Sequence, residues 1–313
     1  MIKTINPGRN EKPIDFWDDI IYSKVTDLSG NKVNLKLSVM DQEENPRPIV
    51  ESPVYAKRKK DNFKRPAIIW VPGDGYRQTN NKNKDLGRTH YFAKQGFVVV
   101  SVQYRSSAQA KWPAQIIDVK TAIRWVRKHA ADYQIDADHI GIMGRSAGSH
   151  IAVVAAMNEE QKYIANEYQD FSSSVQACID LFGPVNIQDL ISQDRELIKS
   201  PGFRWHKMSD THEGALLGHD PDHNPQKEWQ LGYEASPINF VNANTAPILI
   251  MQGDKDPLVP TKVSEELYQK LVEAGLESQS YLYWVKDAGH GTPEIFQDSA
   301  LQIMSDFYQK YLF

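Results

Sequence analysis

The sequence predicts an α/β protein with a mostly parallel central sheet, helices on both faces of that sheet and an antiparallel hairpin near the N-terminus. Three observations predict this class. Short apolar runs rich in β-branched residues recur from residue 66 onward, and segments with helical spacing separate them. The runs are continuous rather than alternating, as in strands that helices cover on both faces. The repeated strand–helix–strand order then implies parallel pairing with right-handed crossovers.

The elements are predicted in chain order as follows. Alternating segments at 22–26 and 33–39 flank the turn sequence 28–31, which indicates the hairpin. Residues 41–65 are polar and contain prolines, so we expect a linker there. Further strands are predicted at 67–71, 97–102, 139–143, 177–181, 247–251 and 281–285. Helices are predicted at 84–95, 113–132, 147–157, 260–274 and 292–311.

The alternation of strands and helices stops between about residues 186 and 235, in a segment that is too long for a simple crossover. Trp205 and Trp229 lie in this segment and argue against disorder. Long irregular inserts in compact domains are usually functional covers. We therefore predict one domain over residues 1–313, with an irregular, cap-like cover insertion at about 186–235.

Composition excludes several classes of function. The 313 residues are 41% hydrophobic and 24% charged, and the formal net charge is −4, so nothing favours a nucleic-acid or membrane partner. Cys178 is the only cysteine and cannot form an internal disulfide. The N-terminus has no signal-peptide pattern, and no apolar stretch approaches the roughly 20 residues that span a bilayer. We expect a cytoplasmic protein; its oligomeric state is not predicted.

The sequence Gly144-Arg-Ser-Ala-Gly148 indicates a nucleophilic serine. It follows a predicted strand and precedes a predicted helix, so Ser146 would lie on a sharp strand-to-helix turn. Glycines two positions before and after the serine leave the space that such a turn needs, and the helix N-terminus favours developing negative charge. The sequence therefore predicts Ser146 as a nucleophile.

A serine hydroxyl needs a base to take its proton and an acid to orient that base. Asp256 and His290 follow two later predicted strands, and open α/β sheets place their sites at strand ends of this kind. We predict His290 as the base and Asp256 as the acid. Asp254 is a rival acid, but it is closer to its strand and better placed to cap the turn. Two weaker rivals are Asp287 and Asp180.

Acyl transfer also requires donors aimed at the oxyanion. One usually comes from the amide that follows the nucleophile, here Ala147. Another comes from the loop after the third strand, where Gly73 and Asp74 are the candidates. The other interpretation is that this loop is only a turn whose backbone conformation requires glycines, with no part in binding an oxyanion.

Taken together, these residues resemble the α/β-hydrolase superfamily, and within it the acetyl-xylan and feruloyl esterase-like branch near the hormone-sensitive lipase group. The resemblance covers roughly residues 50–313. Besides the serine motif, it rests on Val-Gln-Tyr-Arg-Ser at 102–106, Trp-Pro-Ala-Gln-Ile-Ile-Asp at 112–118, Asp-Ala-Asp-His-Ile-Gly at 136–141, Ala-Ser-Pro-Ile at 235–238 and Gly-Asp-Lys-Asp-Pro-Leu-Val-Pro at 253–260. It implies a serine carboxylesterase without metal or cofactor, acting on short, often acetyl, esters of sugars or small alcohols. Such a substrate, a small molecule or an oligosaccharide ester, is the expected partner.

The sequence departs from this family at three positions. The usual His-Gly-Gly-Gly loop reads Pro-Gly-Asp-Gly at 72–75, which puts the Asp74 carboxylate beside the oxyanion donors, where we expect it to repel anionic acyl groups. The residue before the nucleophile, often acidic, is Arg145, and Ser149 stands where a glycine is expected. None of these changes removes the predicted triad.

Aromatic and polar residues near these motifs are candidates for the substrate pocket, chiefly Tyr76, Arg145, Trp112 and Trp205, with Trp229 as a further aromatic candidate. Four histidines in the insertion do not have the spacing of a compact metal site, so no metal is predicted. They are His206, His212, His219 and His223.

Two other functions stay open at this point. A small peptidase of the prolyl-oligopeptidase kind shares the serine turn and the acid loop, although 50 leading residues cannot build the usual propeller. A non-catalytic ligand-binding protein on the same fold would typically lack the base, whereas His290 is present.

Overall fold

The computed structural model describes residues 12–42, 63–78, 82–218 and 224–313. Its strands are β1 (Ile14–Thr26), β2 (Lys32–Gln42), β3 (Arg65–Val71), β4 (Val98–Val102), β5 (Ile135–Arg145), β6 (Ala177–Leu181), β7 (Ile248–Gly253) and β8 (Ser280–Val285). They form one sheet in the order β1-β2-β4-β3-β5-β6-β7-β8. β2 is antiparallel to both of its neighbours, and all the other pairs are parallel. The predicted N-terminal hairpin and mostly parallel sheet are confirmed.

Helices cover both faces of this sheet. They are α1 (Leu86–Lys94), α2 (Ala114–Lys128), α3 (Ala147–Ala156), α4 (Ile187–Leu197), α5 (His212–Leu217), α6 (Pro225–Ala235), α7 (Thr261–Glu273) and α8 (Asp298–Leu312). A short 3-10 turn at Pro293–Phe296 precedes α8, so the helix predicted at 292–311 begins later than expected. None of the helices in the described ranges is long and apolar enough to cross a membrane.

Two apolar layers explain why the strand sequences are continuously hydrophobic. Ile69 of β3 packs in the layer that α2, α3 and α7 cover, with Ile123 and Ile151. Its neighbour Ile68 faces the other layer, with Phe92 of α1 and Met304 of α8. Successive side chains of a strand point to opposite faces. A strand with a helix layer on each side must therefore be apolar at every position.

β1 is longer than the predicted strand 22–26 because its pairing with β2 is irregular. The register shifts between Trp17 and Ile20 and again between Ile21 and Ser23, and Asp19 has a φ of 57°. Extra residues in a strand break the two-residue alternation that identifies it in a sequence. Most of the predicted linker at 41–65 lies outside the described residues.

The segment at about 186–235 is not irregular as predicted, because it contains α4, α5 and α6. Asn186 caps α4 by accepting a hydrogen bond from the Asp189 amide. The residues of α4 that face inward are Ile187, Leu190, Ile191 and Asp194, at helical spacing. The carboxylate in this stripe interrupts the hydrophobic pattern of α4, and α5 is too short to show a clear pattern. Hydrophobic spacing alone therefore does not predict these helices. Residues 219–223 lie outside the described part of the chain.

Candidate active site

Ser146 lies on the sharp turn between β5 and α3, with φ 51° and ψ −128°. Its amide donates to the carbonyl of Leu181 on β6 at 2.9 Å. The glycines of the motif pack too tightly for any side chain: a Cβ on Gly148 would lie 2.1 Å from the Val71 oxygen, and one on Gly144 would lie 2.4 Å from the Gly148 oxygen. The turn therefore presses against the end of β3 and holds the serine at the carboxyl edge of the sheet.

The structure brings the three predicted residues Ser146, His290 and Asp256 together. His290 Nε2 lies 2.8 Å from Ser146 Oγ, and His290 Nδ1 lies 2.8 Å from Asp256 Oδ2. With the imidazole proton on Nδ1, the ring donates to Asp256 and accepts from the serine hydroxyl. Phe182 packs edge-on against the imidazole, with ring centroids 4.7 Å apart. This arrangement can draw the proton from a serine hydroxyl.

Asp256 is held as an ionised acceptor. Its side chain is buried, and its Oδ1 accepts from the amides of Leu258 at 2.8 Å and Val259 at 3.1 Å. Burial acts to raise the pKa of Asp256, but the bond to His290 and the two amide bonds outweigh it and lower that pKa overall.

The rival acids lie in other settings. Asp254 is exposed, and Asp287 forms an exposed ion pair with Lys255. Asp180 is buried behind the turn and accepts from the Ser149 hydroxyl and the Gly183 amide. Only Asp256 among these carboxylates is hydrogen-bonded to His290 in the described part of the chain.

Two of the predicted oxyanion donors line the same cleft as Ser146, namely the residues Asp74 and Ala147. Their backbone amides make no hydrogen bond within the described ranges, so both are free to donate to a ligand. Gly73 packs against the backbone of Arg145, next to the serine turn. Of these two residues of the loop, Asp74 lines the cleft and Gly73 does not, so Asp74 is the better placed donor.

The charges beside the serine differ from the sequence-based expectation. The Asp74 carboxylate is not isolated, because Lys84 Nζ lies 2.9 Å from its Oδ2. Arg145 pairs through Nε with Asp85 Oδ2 at 2.8 Å, and Arg88 pairs with the other oxygen of that carboxylate at 3.0 Å. Repulsion of anionic acyl groups by Asp74 is consequently weaker than the sequence suggested.

The cleft at Ser146 has a volume of about 320 Å³. Three of the predicted pocket residues line it: Tyr76, Arg145 and Trp205. Trp112 is in the core instead, 7% exposed, between His150 and Tyr163. Trp229 is exposed on α6 and stacks on Tyr233.

The helices of the insertion supply a wall of the cleft that the sequence analysis missed. Asp194 of α4 and His212 and Glu213 of α5 all line it. A signal for Asp194 exists in the sequence, since it is the one carboxylate on the buried stripe of α4. Glu213 and His212 had no comparable signal, because α5 has only six residues.

The titratable groups of this wall are strongly perturbed. Burial, together with the neighbouring Asp194, raises the pKa of Glu213 to about 8. Burial, aided by Arg77 and Arg204, lowers the pKa of His212 to about 4. At neutral pH Glu213 therefore keeps its proton and His212 is uncharged.

No group of three potential metal ligands of the His, Cys, Asp or Glu types occurs among the residues that the structure describes. His206 is exposed and His212 lines the cleft, while His219 and His223 lie outside the described ranges.

The sequence profile of the BD-FAE family matches residues 53–271, more than two thirds of the chain. The chain belongs to the BD-FAE family. It is 30% identical over 216 residues to "Esterase LipQ" of Mycobacterium tuberculosis, covering 69% of this chain and 48% of that protein. It is 28% identical over 245 residues to "Acetylxylan esterase" of Xylanibacter ruminicola, covering 77% of this chain and 45% of that protein. This BD-FAE chain thus spans about half the length of the curated relatives it matches.

Solved structures agree with this assignment. A "truncated form of carbohydrate esterase from gut microbiota" superposes with a TM-score of 0.75 and 29% identity, covering 97% of this BD-FAE chain and 98% of the other. The fold is the α/β-hydrolase fold. The predicted superfamily and its esterase-like branch are confirmed.

Proposed function

We propose that this protein is a serine carboxylesterase that hydrolyses short, acetyl-like acyl esters of sugars or small alcohols. The observation that supports this most directly is the continuous hydrogen-bonded chain from Ser146 Oγ through both nitrogens of His290 to Asp256, with 2.8 Å at each step. No metal or cofactor is part of the proposal.

In the first half-reaction Ser146 Oγ attacks the ester carbonyl carbon while His290 Nε2 takes the hydroxyl proton. Asp256 keeps the second imidazole proton on Nδ1 and stabilises the imidazolium that forms. Collapse of the tetrahedral intermediate breaks the bond to the alcohol, and His290 returns the proton to the departing oxygen. The acyl group is then bound to Ser146.

In the second half-reaction water attacks the acyl-enzyme and gives its proton to His290 Nε2. Collapse of the second intermediate releases the acid and returns the proton to Ser146. The free amides of Asp74 and Ala147 are the proposed donors to both oxyanions, and the N-terminus of α3 adds a favourable dipole. A lost donor of this kind typically costs about 10²–10³ in kcat.

Names among the relatives support a small acyl group on a carbohydrate, since one is an acetylxylan esterase and a structural neighbour is a carbohydrate esterase. The small cleft favours the same class of substrate, because about 320 Å³ is at the lower end of ligand pockets.

The test is hydrolysis of p-nitrophenyl acetate by the parent and by Ser146→Ala. We expect the variant to fold normally and to lose about 10⁴-fold or more in kcat/KM, because nothing else forms the acyl-enzyme. Turnover within tenfold of the parent would remove Ser146 as the nucleophile. An acetanilide with the same acyl group separates the remaining functions: measurable Ser146-dependent cleavage of the amide would indicate a peptidase, cleavage of the ester alone an esterase, and no turnover of either a binding protein.

A further inference from the structure

Four of the polar residues that line the cleft are named here the polar wall: Tyr76, Asp194, His212 and Glu213. Asp194 and Glu213 are only 8% and 9% exposed, and Tyr76 is 1% exposed. None of the four takes part in the proposed chemistry at Ser146. Buried polar groups around a ligand-sized cavity call for an explanation, because such groups are normally hydrogen-bonded.

The two carboxyl groups of the polar wall act as a pair. Each is within hydrogen-bonding reach of the other, and Glu213 retains its proton at neutral pH. Glu213 therefore donates to Asp194. Burial raises the pKa of Asp194 as well, while the bond from Glu213 and the positive charge of Arg204 favour the ionised form of Asp194.

Asp194 Oδ2 and the Tyr76 hydroxyl have no hydrogen-bond partner within the described residues, whereas His212 is bonded to the backbone of Gly75. The carboxylate oxygen only accepts, and the hydroxyl can donate or accept. An alkyl group placed here would leave both unpaired. Alcohol hydroxyls, which both donate and accept, match both.

A cationic ligand fits the polar wall less well than a neutral one. Arg204 acts on Asp194, and Arg77 acts on Glu213, so the negative charge of the pair already has two cations nearby. The indole of Trp205 also lines the cleft, packed edge-on against His212 with ring centroids 5.0 Å apart. Carboxylate acceptors beside an aromatic ring suit a neutral polyhydroxylated ring.

We propose that the polar wall binds hydroxyl groups of a sugar-like alcohol, with Asp194 accepting from them and Glu213 positioning Asp194. This rests on the proposed function: the acyl group there is short and has no hydroxyls, so the hydroxyls belong to the alcohol that is released.

The experiment compares two acetate esters of six-membered-ring alcohols, a methyl mono-O-acetyl-xylopyranoside and cyclohexyl acetate. For the parent, kcat/KM for the sugar ester is expected to exceed that for cyclohexyl acetate by about tenfold. Asp194→Asn should lower this ratio about tenfold, because a neutral amide is a weaker acceptor than a carboxylate. The matched control is Glu196→Gln on the exposed face of α4, which should leave the ratio within twofold.

Glu213 is tested by rescue. Glu213→Gln keeps a donor to Asp194 and should retain most of the sugar preference, whereas Glu213→Leu removes the donor and should lower the ratio as Asp194→Asn does. Equal ratios in these two variants would remove the positioning role of Glu213.

The inference is overturned if Asp194→Asn lowers the ratio less than threefold, or if the parent prefers cyclohexyl acetate. Should Asp194→Asn not fold, monodeoxy analogues of the sugar ester decide the question on the parent: at least one missing hydroxyl must lower kcat/KM threefold or more. A parent that hydrolyses p-nitrophenyl acetate through Ser146 but shows no sugar preference rejects only this inference and leaves the esterase proposal standing.

Discussion

Ser146 has a backbone conformation that L-residues rarely adopt, and the surrounding hydrogen bonds fix it there. Its amide donates to Leu181, and its carbonyl accepts from the amides of Ser149 at 2.8 Å and His150 at 3.1 Å. Such a conformation costs about 1–3 kcal/mol, which neighbouring contacts must offset. The strain resides in the backbone. Replacing the side chain therefore removes the hydroxyl without removing the turn, which is why Ser146→Ala isolates the chemistry.

The acid can be assigned by a pair of equivalent substitutions. Asp256→Asn should lower kcat/KM for p-nitrophenyl acetate about 10³–10⁴-fold, because an amide no longer holds the Nδ1 proton and the imidazole adopts the wrong tautomer. Asp254→Asn, on the same loop but exposed, should change it less than threefold. The reverse ranking would transfer the orienting role to Asp254.

Glu213 gives a prediction about stability and pH. Its pKa is raised from 4.5 in the unfolded protein to about 8 in the folded protein. Between these two pH values Glu213 loses its proton in the unfolded protein but keeps it in the folded protein, so a rise in pH favours unfolding. The parent therefore loses stability over this range relative to Glu213→Gln, which has no such proton to retain. We expect the gain in Tm from Glu213→Gln to be larger at pH 8 than at pH 5 by thermal denaturation. The same gain at both values would show that Glu213 is ionised in the folded protein.

At the scale of elements, the contact between the serine turn and β3 is too tight for an added methyl group. Gly148→Ala would place a methyl group 2.1 Å from the Val71 oxygen, and the backbone there cannot yield without moving α3. We expect a loss of roughly 3 kcal/mol or more in the free energy of unfolding, measured by urea denaturation, together with loss of esterase activity. Gly87→Ala on α1 is the control, since nothing lies within 4 Å of the added methyl group and the change should stabilise the protein by about 0.5–1 kcal/mol. Equal effects of the two changes would contradict the steric argument.

The elements that the sequence predicted well are those with a single clear period. β3 to β8 are buried on both faces or bordered by turns, so short apolar runs in the sequence locate them. Ser146, Asp256 and His290 are among the polar residues that follow three of these strands, so locating the strands also located the proposed triad. β1 was predicted too short because register shifts interrupt its alternation. α4 was missed because a buried carboxylate lies on its apolar face, and the polar wall was missed with it. Whether Asp194 meets Glu213 depends on how α4 and α5 pack, which no local pattern specifies.

At the scale of the whole molecule, two parts of the chain together build the cleft. The carboxyl edge of the sheet supplies Ser146, His290 and the oxyanion loop, and the insertion supplies α4 and α5. Leu190 and Leu197 of α4 line the same cleft as Ser146, so α4 limits the size of the cleft. The length of acyl chain that the protein accepts should therefore depend on the insertion rather than on the sheet.

This dependence leads to a prediction about acyl length. With p-nitrophenol as the constant leaving group, acetyl and propionyl esters should exceed octanoyl by about tenfold or more in kcat/KM, because a cleft of about 320 Å³ whose lining includes Leu190 is small for a long acyl chain. Leu190→Ala enlarges the cleft and should raise the octanoyl-to-acetyl ratio about threefold or more. Ile191→Ala removes a side chain of similar size and burial that does not line the cleft, and it should leave that ratio unchanged. If octanoyl proves the best substrate, or if both variants shift the ratio equally, α4 does not set the acyl length. Neither outcome affects the proposed triad, because its residues are positioned by the sheet.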